Sequence, residues 1–280
     1  MKRLGVLAGL FASTVFFSLL MREMVMAYTT EVVREGTITL EHYIPAQCNS
    51  DKKLLFVHSS GHGSWMWKNF LSYFAEKGYD AWAINLRGHH LSDPVEAWEE
   101  VGVAEYLEDI EQGLKRIGGE VVLIGHSMSG LLLLKYAESH QVAGLIVSQS
   151  GIPKAMIQKR GILLEGPAPG KGKRAIEAGA ILPLKDREKV KFLLFDDGNA
   201  EEETVDLVIK MMGKESARVG GEIMNMELVS EKSSVPLFVL GFDASKIGMR
   251  TSVDLNKVLA EELNARDYTV IEPVSYTHLR

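Results

Sequence analysis

Short apolar runs recur along the chain, separated by segments with helical spacing. Leu54-Leu55-Phe56-Val57, Tyr79 to Asn85, Val121-Val122-Leu123-Ile124 and Ala143 to Ser148 lack the alternation of a half-exposed strand. They predict strands buried on both faces. Between them, Lys68 to Lys77 carries Phe70, Leu71 and Phe74 at helical spacing and stops at Gly78. Val103 to Ile117 puts Val103, Tyr106, Leu107, Ile110, Leu114 and Ile117 on one face, and Leu131 to Ala137 begins a helix reaching Ser139. Strands and helices that alternate in this way predict a mainly parallel sheet covered on both faces. Upstream, Glu31 to Pro45 alternates apolar and polar residues about a turn at Gly36, the pattern of an antiparallel edge hairpin.

The rhythm breaks after Ser150. Residues 151–234 contain no comparable apolar strand, and Asp186 to Leu194, Ala200 to Met212 and Ser216 to Val229 read as helices. Glu201-Glu202-Glu203 fits a solvated helix start. Glu165 to Lys173 is a Gly/Pro/Lys connector. Its Gly-Lys pairs have neither a preceding strand nor a following Ser or Thr, so they do not form a phosphate loop. A helical insertion of this size reads as a cap over a site. Strand character returns at Val235 to Gly241, a helix follows over Asp254 to Asn264, and Tyr268 to Ile271 forms a last strand.

Composition narrows the class without fixing it. Hydrophobic residues make up 46% and charged residues 24% of the 280, as expected of a globular chain. A formal net charge of −6 gives no electrostatic support for binding nucleic acid. The single cysteine, Cys48, excludes an internal disulfide. Lys2 and Arg3 precede an uncharged stretch from Leu4 to Met21, with Val25-Met26-Ala27 after it. Residues 1–27 therefore read as a signal peptide or an N-terminal membrane anchor. Export, cleaved or anchored, is the expected fate, and an internal start at Met21, Met24 or Met26 would make the protein cytoplasmic. Residues 28–272 then form the folded domain, with the cap at about 151–234.

Candidate chemistry centres on Gly125-His126-Ser127-Met128-Ser129-Gly130, between the strand ending at Ile124 and the helix from Leu131. A serine in a tight strand-to-helix turn flanked by small residues has the form of a nucleophile elbow. The usual Gly-x-Ser-x-Gly is altered here, because Ser129 holds the last place and Gly130 follows it. The other histidines have structural readings: His42 and His140 on the surface, His89 and His90 on a turn near a pocket mouth, and His126 in sheet–helix packing. His58 and His62 are four apart on a loop, a poor arrangement for a metal site. Trp65 and Trp67 read as pocket or core.

The elbow, the loop His58 to Trp67, the turn Leu86-Arg87-Gly88-His89 and the capped rhythm together resemble the α/β-hydrolase family over about Val33 to Ile271. The loop is especially similar to the plant-type esterase and hydroxynitrile-lyase branch and its bacterial relatives, with Ser59 in place of that branch's glycine. The resemblance implies an α/β-hydrolase fold and a serine hydrolase cleaving a small or medium apolar ester through an acyl-enzyme, with no cofactor and no metal. It implies Ser127 as nucleophile, the N–H groups of Met128 and Ser60 as oxyanion donors, and His58 and His62 as residues shaping the oxyanion loop. In the family order Ser, acid, His, Asp243 takes the place of the acid, one position early and with Ala244 at the expected spacing. The base belongs after the last strand, where His278 is the one histidine. Val274 to Arg280, however, is similar to one translated frame of a transposase-type sequencing adapter. Residues 273–280 are therefore expected to be a non-native tail on a metagenomic fragment, with the true base missing. The same scaffold also admits hydroxynitrile cleavage, perhydrolysis, C–C bond hydrolysis or a non-catalytic binding role.

Overall fold

The computed structural model describes residues 27–162, 175–195, 200–229, 235–241 and 254–270. The expected leader, the Glu165 to Lys173 connector, Asp243 and the tail with His278 lie outside them. No helix among the described residues is long and apolar enough to cross a membrane.

The described residues open with β1 (Tyr28–Glu35) and β2 (Ile38–Pro45), paired antiparallel about Gly36, whose φ is +57°. Alternating β-strands and α-helices follow: β3 (Lys53–Val57), α1 (Lys68–Glu76), β4 (Ala81–Asn85), α2 (Val103–Ile117), β5 (Val121–His126), α3 (Met128–Ala137) and β6 (Gly144–Ser148). After the insertion, β10 (Leu237–Gly241), α8 (Leu255–Glu262) and β11 (Asp267–Val270) complete the order. The eight-stranded sheet runs β1-β2-β4-β3-β5-β6-β10-β11 and is parallel from β4 onward. The expected α/β architecture is thus present, with a hairpin at one edge.

The continuous apolar runs are explained by burial on both faces. Along β3, Leu55 and Val57 enter one core cluster and Leu54 and Phe56 the other. Helix α3 packs on the first face and is buried around nearly its whole circumference, with Lys135 the half-exposed exception. Its Leu131-Leu132-Leu133-Leu134 run is therefore core.

The insertion between β6 and β10 holds α4 (Lys154–Lys159), α5 (Arg187–Leu194), α6 (Glu202–Met211) and α7 (Ala217–Met224). The sequence pattern missed α4 and also a three-stranded sheet of β7 (Ile176–Glu177), β8 (Ala180–Ile181) and β9 (Glu215–Ser216). Each of these strands has two residues, too few to show alternation. Val190 of α5 and Val205 and Val208 of α6 pack with Phe56, Trp65, Trp67 and Leu71, whereas Val219 and Ile223 of α7 join the opposite cluster beside Tyr106 and Ile110. Trp65 and Trp67 are thus core side chains.

Candidate active site

The sheet order reverses between β3 and β5. From β3 the chain passes to β4 on one side, then returns to β5 on the other. Crevices at the carboxyl ends of strands form at such switch points. Val57 and Gly125 are register partners, so the loops that follow them leave the sheet edge side by side.

Ser127 stands in the second of these loops with φ +56° and ψ −113°, at the N-terminus of α3. A non-glycine residue pays about 1–2 kcal/mol for a left-handed backbone. Its neighbours hold it there. The Ser127 N–H donates to the Ser148 carbonyl at 3.0 Å, and its own carbonyl accepts from the Gly130 N–H at 3.2 Å. A Cβ on Gly125 would lie 2.8 Å from Leu133 Cδ1 and 2.9 Å from the Ser129 carbonyl carbon, so strand and helix approach too closely for a side chain. Ser129 is fully buried. Its hydroxyl donates to the Val57 carbonyl at 2.8 Å and accepts from the His126 N–H at 2.8 Å. The altered last place of the motif therefore carries a hydrogen bond between the elbow and β3. The glycine requirement moves one residue on, because a Cβ on Gly130 would meet Ser150 Oγ at 2.5 Å.

The loop after β3 is a tight turn. The His62 N–H donates to the Ser59 carbonyl at 3.1 Å, and Gly61 sits at φ +69°, a conformation that favours glycine. Histidines brace it. His58 is fully buried and takes the Leu86 N–H on Nε2 at 3.1 Å, which leaves its Nδ1–H to donate to the Ser59 carbonyl at 2.9 Å. Burial, and then the nearby charge of His89, hold His58 well below the usual histidine range, so it stays neutral. His62 Nδ1 donates to the Ser60 carbonyl at 2.8 Å. The N–H groups of Ser60 and Met128 have no hydrogen-bond partner among the described residues.

Three histidines beyond this turn have distinct settings. His126 Nε2 donates to Gln149 Oε1 at 2.8 Å, and burial lowers its pKa. His89 does not sit at a pocket mouth; it is fully buried, with Nε2 3.4 Å from Glu215 Oε2. The turn carrying it folds inward because Gly88, at φ +78°, packs against Trp98. Nor is His42 a surface residue. Its register partners Glu31 and Trp82 flank it, so its ring stacks on Trp82 at 3.4 Å and bridges the carboxylates of Glu31 and Asp80.

Glu215, unforeseen in the sequence, is 1% exposed and reaches this region from β9. Its Oε1 accepts from the Tyr106 hydroxyl at 2.6 Å and the Ser216 N–H at 2.7 Å, and its Oε2 accepts from the Gly61 N–H at 3.1 Å. Burial works to raise its pKa, but the His89 charge and these hydrogen bonds outweigh burial and draw it down to about 2. His89 is raised in turn: burial works against its charge, and Glu215 overcomes burial. The only sequence signal for Glu215 was one acid beside Lys214 and Ser216, which reads as a solvated turn. Asp243 and His278, the expected acid and base, lie outside the described residues, two positions beyond the end of β10 and in the tail respectively.

The sequence model of the alpha/beta hydrolase family matches residues 54–218, which run from β3 through the elbow into the cap. The chain belongs to this family. Among curated relatives, it is 27% identical over 100 residues to epoxide hydrolase 1 of Caenorhabditis elegans, covering 35% of this chain and 24% of that protein. It is 31% identical over 120 residues to the rice (Oryza sativa) protein named "Probable esterase PIR7A", covering 41% of this chain and 44% of that one. The chain thus spans less than half the length of these relatives. The fold matches that of a methylesterase from Arabidopsis with a TM-score of 0.59 at 17% identity, covering 81% of this chain and 92% of that one.

Proposed function

We propose that this alpha/beta hydrolase is a serine hydrolase that cleaves a small or medium apolar carboxylic ester through an acyl-enzyme. The observation that carries this reading is the strained backbone of Ser127 at the N-terminus of α3. Strain at a polar side chain on a sheet's carboxyl edge is a property of reactive positions. Ser127 Oγ attacks the ester carbonyl, the alcohol leaves, and water releases the acyl group. The N–H groups of Ser60 and Met128, both without partners among the described residues, receive the oxyanion, and the α3 N-terminus adds favourable potential. Asp243 is proposed to orient the base. His278 takes the base's place by position, and a native histidine past Ile271 takes it if residues 273–280 are foreign. The names of the esterase and methylesterase relatives agree with ester cleavage.

Ser127→Ala is expected to abolish hydrolysis of chromogenic short-chain esters. Undiminished turnover overturns the assignment. His278→Ala in the same assay tests the base, and turnover equal to wild type excludes His278 from that role. A serine-directed fluorophosphonate labels Ser127 if the side chain is activated, and leaves it unlabelled if the pocket only binds.

A further inference from the structure

From the Ser59 N–H to the His62 N–H, the backbone polar groups of this turn are engaged with one exception. The Ser59 N–H meets Met66 Sδ at 3.4 Å, and the Ser59 carbonyl accepts from His62 N–H and His58 Nδ1. The peptide between Ser60 and Gly61 is clamped at both ends, its oxygen by His62 Nδ1 and its N–H by the Glu215 carboxylate. The Gly61 carbonyl accepts from the Gly213 N–H at 2.8 Å. Within that stretch, the Ser60 N–H is the group without a partner among the described residues.

Two of these restraints, from Gly213 and Glu215, come from the cap and not from the sheet. They grip one residue, Gly61, at both its backbone polar groups. Gly61 has φ +69° and no side chain, so nothing of its own resists rotation of the adjoining peptides. Glu215 suits this task because both its oxygens already accept hydrogen bonds and His89 keeps the carboxylate ionised within the protein. A charge-assisted bond of this kind is stiffer than one between neutral groups.

We propose that Glu215 is a positioning residue for the oxyanion turn: from the cap it fixes Gly61 so that the Ser60 N–H is aimed at the carbonyl oxygen of the bound substrate. The proposal rests on the reading of Ser127 as nucleophile and Ser60 as oxyanion donor. It makes a seated cap a condition for fast acyl transfer as well as a wall of the pocket.

The test compares Glu215→Gln with Tyr106→Phe. The amide sets an NH2 group against at least one of the donors that now meet carboxylate oxygens, which disturbs the clamp. Tyr106→Phe removes a hydrogen bond to the same carboxylate without touching the turn. In ester hydrolysis, Glu215→Gln is expected to lose about 10²-fold in kcat with KM little changed, the signature of an interaction made in the transition state. Tyr106→Phe is expected to keep most of kcat although its Tm falls. Equal kcat in wild type and Glu215→Gln overturns the proposal, as does a kcat loss in Tyr106→Phe as large as in Glu215→Gln. Should Glu215→Gln fail to fold, amide hydrogen exchange of the wild type decides. A Gly61 amide protected as strongly as those of β5 supports the clamp, and exchange at the rate of an open loop overturns it. If wild type hydrolyses no ester, kcat gives no comparison, and the Gly61 exchange alone decides whether Glu215 holds the turn.

Discussion

The Ser129 hydroxyl donates to the Val57 carbonyl at 2.8 Å and so fastens the first turn of α3 to the end of β3. It also takes the His126 N–H, so one side chain satisfies two backbone groups across the site. Ser129→Ala leaves both buried groups without this partner. An unsatisfied buried group costs about 1–3 kcal/mol, and a loss in that range is expected in urea unfolding at unchanged m-value. An unfolding midpoint equal to wild type would mean that the bond contributes nothing.

Gly130 and Ser150 form a tight pair. A Cβ at Gly130 would fall 2.5 Å from Ser150 Oγ and 2.8 Å from its Cβ. Gly130→Ala is expected to destabilise the fold by about 1–3 kcal/mol, the usual cost of overpacking. The added change Ser150→Gly removes the clashing atoms and is expected to recover much of that loss. Thermal unfolding of the single and double variants measures this coupling, and purely additive effects would show that the clash is absorbed elsewhere.

Arg87, half-buried, pairs with the buried carboxylate of Asp109. Arg87 Nε and Nη2 reach Asp109 Oδ1 at 2.9 Å and 2.7 Å, and Asp109 is fully buried. Burial raises the Asp109 carboxyl despite the pairing, so the guanidinium is what keeps a carboxylate tolerable at this depth. Arg87→Ala is expected to cost about 3–5 kcal/mol, since it leaves a buried acid without its counter-charge. Combining it with Asp109→Leu is expected to restore part of the stability. Chemical denaturation of the three variants is the measurement, and a double variant no better than Arg87→Ala would contradict this account.

The Glu215–His89 pair sets a pH window for stability. Glu215 is lowered in the fold from 4.5 to about 2, so its contribution is present above pH 4.5 and drains away as pH falls toward 2. His89 is raised above 6.5, so its contribution is complete below pH 6.5 and is lost as pH rises through the elevated value. The stability gap between wild type and Glu215→Gln is therefore expected to be widest between about pH 4.5 and 6.5 and to narrow on either side. Unfolding midpoints across pH test this, and a constant gap would rule out the ion pair as its origin.

Much of the architecture was legible in the sequence because buried strands and amphipathic helices carry their own periodicity. Val103–Ile117 and the Leu54–Val57 run needed no tertiary information. The strained serine was legible too, since Gly125, Ser129 and Gly130 crowd small side chains around it where a strand turns sharply into a helix. His42 was not, because its burial comes from side chains on two other strands, Glu31 of β1 and Trp82 of β4, and is invisible along its own strand. Glu215 was hidden for the same reason: its partners Gly61, His89 and Tyr106 come from three other segments. Two-residue strands such as Ala180–Ile181 are set by pairing alone and leave no local pattern.

The insertion is rooted in two cores at once. Val190, Val205 and Val208 are packed on one face of the sheet, and Val219 and Ile223 on the other. Lifting it as a rigid door would expose both sets together, at about 1.5–3 kcal/mol for each large aliphatic side chain returned to water. Mechanically the insertion is a strap buckled into both cores, and a hinge-like swing would have to undo both buckles at once.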